Sequence, residues 1–151
     1  MKAAEVAKHI INFCISKNNP ISNLQLQKML YFVDMYYLIN IGERLITDSN
    51  FVAWQYGPVI KEIYYKYSKY AASYITTWED FEEMLPDDMS GLIYGYIQKL
   101  SGILPSKLVE ESHRENTPWD IVIKQNGMYG EIPTYLMEEF ANRCREEINA
   151  R

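Results

Sequence analysis

The sequence predicts a mainly helical fold: a single compact domain over residues 1–151, with about six to seven helices and a small two-stranded antiparallel β element. Apolar residues recur at helical spacing along most of the chain, with proline and glycine between these segments. Only residues 51–56 alternate as a half-buried strand does. A chain of 151 residues that is 48% hydrophobic and 23% charged suits one globular domain with a sizeable core.

The first two helices are predicted from apolar spacing and from signals at their ends. Residues 3–17 carry an apolar stripe at helical spacing. Ser22 and Gln25 have the spacing of a capping box, so a second helix should begin at residue 23 and run to about 40, before Gly42. Because this helix is too apolar for a fully exposed face, we expect it at the centre of the fold.

A ten-residue segment then combines strand, turn and helix signals. Residues 51–56 alternate like a short strand, and Gly57 permits backbone angles that are closed to other residues. Pro58 suits the first position of a helix. The pattern therefore predicts a strand that turns sharply into a third helix over residues 58–70, with Trp54 and Tyr56 fixed beside the corner.

The rest of the chain predicts four further helices and a second strand. Three of these helices open at a proline, a residue favoured at the first helical position. A strand at Glu131–Ile132 is expected beside Val52–Trp54, because a lone strand would leave its backbone groups unpaired. The four helices are expected at about 87–101, 105–112, 118–125 and from Pro133 onward.

Composition limits the classes of function. The net charge of −5 argues against a large nucleic-acid footprint and suits a partner with a basic face. The N-terminus shows no signal peptide, and no apolar run approaches the roughly 20 residues that span a bilayer. We therefore expect a cytoplasmic protein with no membrane association. Cys14 and Cys144 are expected to be small apolar residues rather than a disulfide.

Catalytic and metal-binding patterns are scarce, which favours a non-enzymatic protein without cofactors. There is no glycine-rich phosphate loop, no paired metal-ligand motif and no nucleophile elbow. His113 has three interpretations: a cation at the end of a helix, a binding residue, or a catalytic residue that works with a nearby carboxylate. The turn before Ser22–Lys28 has the outline of a helix-turn-helix, but the helix that follows is too apolar to read a DNA groove.

Two segments are candidates for contact with a partner. A dense run of tyrosines in the third helix cannot all face one core, and tyrosine suits interfaces; boundary packing is the alternative. An acidic run at 79–88 could speed docking of a basic partner, or it could be a solvated loop. The candidate contact residues are Tyr64, Tyr65, Tyr67, Glu79, Asp80, Glu82 and Glu83.

Four segments together resemble the Panacea domain family, which includes the SocA-like antitoxins. They are the Ile21–Phe32 segment, the Ala53–Val59 segment, the Ser112–Trp119 segment and the helix start at Ile132–Pro133. The resemblance covers roughly residues 3–145. Within it, Gly57 and Pro58 are expected to set the backbone and Trp54 and Trp119 to be packed. The positions that match the family motif are Trp54, Tyr56, Gly57, Pro58, His113, Arg114, Pro118 and Trp119.

The resemblance implies a bacterial or prophage antitoxin that neutralises a cognate protein toxin by direct contact. SocA-like members instead deliver the toxin to a ClpXP-type protease, so the resemblance leaves a proteolytic adaptor as the alternative. Some relatives carry an added DNA-binding domain, for which this chain has no room. The sequence leaves open whether the chain forms a homo-oligomer. The second alternative for its function is an uncharacterised enzyme or a nucleic-acid-binding regulator.

Overall fold

Seven α-helices and one small sheet make up the structure, a computed structural model that describes all of residues 1–151. This agrees with the predicted fold class. In chain order the elements are α1 (Ala3–Ser16), α2 (Asn23–Ile41), β1 (Val52–Trp54), β2 (Gly57–Val59), α3 (Lys61–Lys66), α4 (Ser90–Ser101), α5 (Pro105–Ser112), α6 (Pro118–Asn126) and α7 (Thr134–Asn149), with a 3-10 turn at Ser68–Tyr70.

Helix α2 lies at the centre, as predicted. Its capping box is formed in both directions between Ser22 and Gln25, and Gly42 ends it in the left-handed conformation with φ of 95°. The helix packs against α1, α4, α5, α7 and β2. Because these neighbours surround α2, some polar side chains of this helix are buried along with the apolar ones. They include Lys28 and Asp34.

The predicted strand-to-helix corner is wrong, because residues 52–59 form a β-hairpin. Strands β1 and β2 pair antiparallel, with Val52 opposite Val59 and Trp54 opposite Gly57. The chain therefore reverses direction at residues 55–56, before the glycine. Helix α3 begins at Lys61 rather than Pro58, since Ile60 is still extended.

The expected strand at Glu131–Ile132 lies beside β1, on the edge away from β2. The amide of Ala53 donates to the carbonyl of Gly130 at 2.8 Å, and the amide of Tyr129 donates to the carbonyl of Ala53 at 2.8 Å. Val52 and Glu131 form an isolated antiparallel bridge. The predicted neighbour of β1 is therefore present, but only β1 and β2 make a regular sheet.

The remaining helix boundaries lie close to those predicted. Helix α4 begins at Ser90 instead of 87, and α7 begins one residue after Pro133. No helix in the structure combines the length and the apolar character needed to cross a membrane.

Candidate partner-binding site

Three motif segments that are distant in sequence meet at Gly57. Its φ of +113° is accessible to glycine but strained for other residues. A Cβ atom built here would lie 2.6 Å from Ser112 Oγ and 2.8 Å from Lys28 Nζ. The position therefore requires glycine for two reasons, its backbone angle and the close approach of α2 and α5.

Two α2 side chains hold the outer edge of β2. The ammonium of Lys28 is fully buried and donates to the carbonyl of Pro58 at 2.5 Å. The side-chain carbonyl of Gln27 accepts from the amide of Ile60 at 3.0 Å. Burial lowers the pKa of Lys28 to about 7. The carbonyl of Pro58 and the amide of Ile60, which could otherwise pair with a further strand, are therefore hydrogen-bonded to side chains of α2.

The Ser112–Trp119 segment locks the other side of the hairpin. The His113 and Trp119 rings are stacked, with centroids 3.7 Å apart and planes 7° from parallel. Trp119 Nε1 donates to the carbonyl of Trp54 at 2.8 Å. Burial and the charge of Lys28 lower the pKa of His113, whose Nε2 is buried without a hydrogen-bond partner. The packed His113 ring therefore supports the hairpin.

The helix start that the sequence predicts at Pro118 is present. Thr117 caps α6 by accepting from the amide of Asp120, and Pro118 occupies the first turn. Arg114 is exposed and pairs with Glu111 at 3.2 Å. Arg114 follows the end of α5, and its side chain lies on the surface.

An aromatic cluster with two half-buried and two exposed rings lies over this scaffold. We call it the aromatic face and define it by Trp54, Tyr64, Tyr65 and Tyr129. The ring of Trp54 lies 4.9 Å from that of Tyr64 and 6.3 Å from those of Tyr65 and Tyr129. Tyr65 is 61% exposed and Tyr129 is 71% exposed. Tyr56, in the hairpin turn, is also exposed.

Tyr129 was not among the residues predicted from the sequence. The available signal was its position in the turn directly before the strand that was expected beside β1. Pairing of that segment with Val52–Trp54 places Tyr129 near Trp54.

The remaining tyrosine and acidic candidates divide between buried and exposed positions. Tyr67 is only 1% exposed, and its hydroxyl donates to the Glu79 carboxylate at 2.8 Å, so it offers no surface to a partner. Glu79 and Glu83 are half-buried, whereas Asp80 and Glu82 are exposed.

Buried polar groups of α1 hold the acidic segment in place. Asn12 exchanges hydrogen bonds with the backbone of Glu79 at 2.7 and 2.8 Å. The Glu5 carboxylate accepts from the amides of Glu82 and Glu83. The segment is therefore docked on α1 rather than being a detached loop, which the sequence did not indicate.

An open groove of about 1230 Å³ adjoins the aromatic face, with Tyr65 and Tyr129 among its lining residues. Its loop, residues 43–50, is fixed from below by Asp34 of α2. That buried carboxylate accepts from the amides of Leu45 at 2.8 Å and Ile46 at 3.1 Å. Arg44 pairs with Asp34 at 2.7 Å. Burial raises the pKa of Asp34, although Arg44 and the two amides partly offset that effect.

The groups at the site that could take part in chemistry are its possible metal ligands and the buried Lys28. No group of three or more His, Cys, Asp or Glu side chains could hold a metal ion. The buried Lys28 ammonium has no path to a ligand, because its side chain is fully enclosed.

Comparison with known proteins supports the resemblance carried by the motifs. Residues 26–120, more than half of the chain, match the family model described as antitoxin SocA-like, Panacea domain. This chain belongs to the SocA-like, Panacea-domain antitoxin family. Antitoxin SocA of Caulobacter vibrioides (strain NA1000 / CB15N) is 30% identical over 140 aligned residues, and the match covers 83% of this chain and 72% of the relative. No solved structure matches the chain.

The family match covers the packed scaffold, three of the four residues of the aromatic face and the 43–50 loop of the groove. Lys28, Gly57, His113 and Trp119 lie inside the matched range. Tyr129 of the aromatic face lies beyond its end, as does the part of the groove lined by residues 131–138.

Proposed function

We propose that this member of the Panacea-domain family neutralises a protein toxin by binding it directly through the aromatic face. The observation that supports the proposal is this aromatic cluster, whose exposed rings, Tyr65 and Tyr129, also line the groove. Trp and Tyr are enriched among the residues that dominate binding energy, because they bury much area and lose little side-chain entropy. A cognate toxin is the partner suggested by the antitoxin family.

The scaffold beneath the face favours tight association. Trp54 is tied through its carbonyl to Trp119, and β2 is held by Gln27 and Lys28. A surface that is already in its binding geometry loses less conformational entropy when it associates. The chain thus acts as a preformed binding module, with no catalytic step required of it.

The test is a toxicity rescue with the protein encoded beside this gene. Co-expression of the wild-type chain should restore growth, and the two purified proteins should form a complex. The double variant Tyr65→Ala and Tyr129→Ala should weaken binding by at least about tenfold, which corresponds to roughly 1.4 kcal/mol. Tyr135→Ala is the matched control, since Tyr135 is 57% exposed but belongs to neither the face nor the groove.

Two outcomes would count against the proposal. If no neighbouring gene product is toxic or binds the chain, the antitoxin role fails. If growth rescue disappears in cells that lack a ClpXP-type protease, the chain acts as a proteolytic adaptor instead. Direct neutralisation predicts that rescue survives this deletion.

A further inference from the structure

The groove beside the aromatic face has a chemistry of its own. We infer that it receives an extended segment of the toxin that carries Lys or Arg side chains. This inference rests on the proposed antitoxin function and adds the chemical character of the docked segment. The volume of about 1230 Å³ exceeds the roughly 300–1,000 Å³ of common small-molecule pockets, and the groove is open, as a polypeptide requires.

The charges that line the groove favour a cationic occupant. Of the cations at its wall, Arg44 is paired with Asp34, which leaves Lys61 and the N-terminal ammonium against five carboxylates. None of the lining carboxylates forms an ion pair within the chain. The five carboxylates, all on exposed residues, are those of Glu43, Asp48, Glu62, Glu131 and Glu138.

A second feature, independent of charge, indicates an extended backbone. Glu131 lines the groove and forms an isolated bridge with Val52 of β1. Its own amide and carbonyl make no hydrogen bond within the chain. In an antiparallel pair, a residue at a non-hydrogen-bonded position directs these groups away from its partner. They are therefore available to a segment laid along this edge.

The aromatic face supplies the third element of recognition. Tyr65 and Tyr129 belong to both the face and the groove wall. A cation held over an aromatic ring is attracted by the ring, and a guanidinium also stacks on it. A basic segment in the groove can therefore pair with carboxylates along its length and stack on tyrosine rings at the face.

The experiment compares two triple variants that remove the same charge. Glu43→Gln, Glu62→Gln and Glu138→Gln neutralise the groove, whereas Glu115→Gln, Glu146→Gln and Glu147→Gln neutralise exposed carboxylates elsewhere. Binding of the protein encoded by the adjacent gene is measured at low and high salt. The groove variant should bind at least about tenfold more weakly at low salt and lose most of its salt dependence. The control should change by less than about twofold.

The outcomes separate this inference from the proposed function. If the groove variant binds like the wild-type chain while the Tyr65 and Tyr129 double variant does not, the groove inference is overturned and the antitoxin function stands. If the adjacent gene product never binds the wild-type chain, the proposed function itself fails.

Overlapping synthetic peptides of that gene product identify the occupant. Peptides that compete for the groove should carry Lys or Arg and should not compete on the groove variant. Competition only by neutral or acidic peptides would overturn the inference.

Discussion

Lys28 shows what one side chain does for the packed motif. Its ammonium is buried without a carboxylate partner and bonds to the carbonyl of Pro58. Burial disfavours the charged form, so the folded pKa of about 7 lies below the ordinary 10.5. Between these two pH values the unfolded chain binds more protons than the folded chain, and the free energy of unfolding therefore rises with pH.

Lys28→Met should flatten this pH dependence. The wild-type chain should gain stability relative to the variant as pH rises from about 7 toward 10.5, by up to roughly 5 kcal/mol. Denaturant unfolding of both proteins across this range measures the difference. Lys61→Met removes an exposed lysine as a control and should leave the wild-type slope intact. If the free energy of unfolding changes with pH in the same way for wild type and Lys28→Met, the lowered pKa of Lys28 is contradicted.

Gly57→Ala should destabilise the chain, because a Cβ atom would meet Ser112 and Lys28 and the positive φ would be strained. We expect a loss of about 2–4 kcal/mol in the free energy of unfolding. Gly95→Ala is the matched control, since Gly95 lies within α4 with open space around it. That change should stabilise by about 0.5–1 kcal/mol. Equal effects at the two glycines would show that neither constraint operates.

At the scale of elements, the acidic segment is a part of the fold that depends on α1. Burial of Glu5 raises its pKa, but the amide of Glu83, the ammonium of Lys8 and the amide of Glu82 outweigh burial and lower the pKa to about 2. A carboxyl group with a lowered folded pKa contributes its full stability above the unfolded value of 4.5. That contribution is lost as pH falls from 4.5 to about 2.

Glu5→Ala should release the acidic segment from α1, because two backbone amides lose their acceptor. Amide hydrogen exchange in residues 79–85 should become faster near neutral pH, while exchange in α2 stays slow. Glu110→Ala is the control: it also removes a carboxylate paired with a lysine three residues away, but on the exposed surface of α5. Unchanged exchange at Glu82 and Glu83 in Glu5→Ala would refute the docking role.

At the scale of the whole molecule, α2 connects the two surfaces. Lys28 and Gln27 hold the hairpin beneath the aromatic face, and Asp34 holds the loop that forms the groove wall. Face and groove are thus supported by one buried helix and share Tyr65 and Tyr129. When the tyrosine and glutamate variants are combined, their separate losses of binding free energy for the proposed toxin should not add, because groups around one groove are coupled.

Signals between residues close in sequence fixed most of the helices. The capping box of Ser22 and Gln25, the helix start at Pro118 and the stop at Gly42 all formed as predicted. These signals work from sequence alone because each depends on atoms within a few residues. The motif segments likewise carried the family resemblance, which the comparison confirmed.

Contacts between distant residues decided what local signals could not. Gly57 and Pro58 satisfied the rules for a helix start, yet they form a strand, because pairing with β1 and hydrogen bonding to Lys28 satisfy their backbone. The apolar character of α2 could have indicated that Lys28 and Asp34 are buried, but not which groups they meet. The sequence by itself determined the helices and the family. Only tertiary packing, which joins α2 to the hairpin, the 43–50 loop and the turn at Tyr129, decided the hairpin, the aromatic face and the groove.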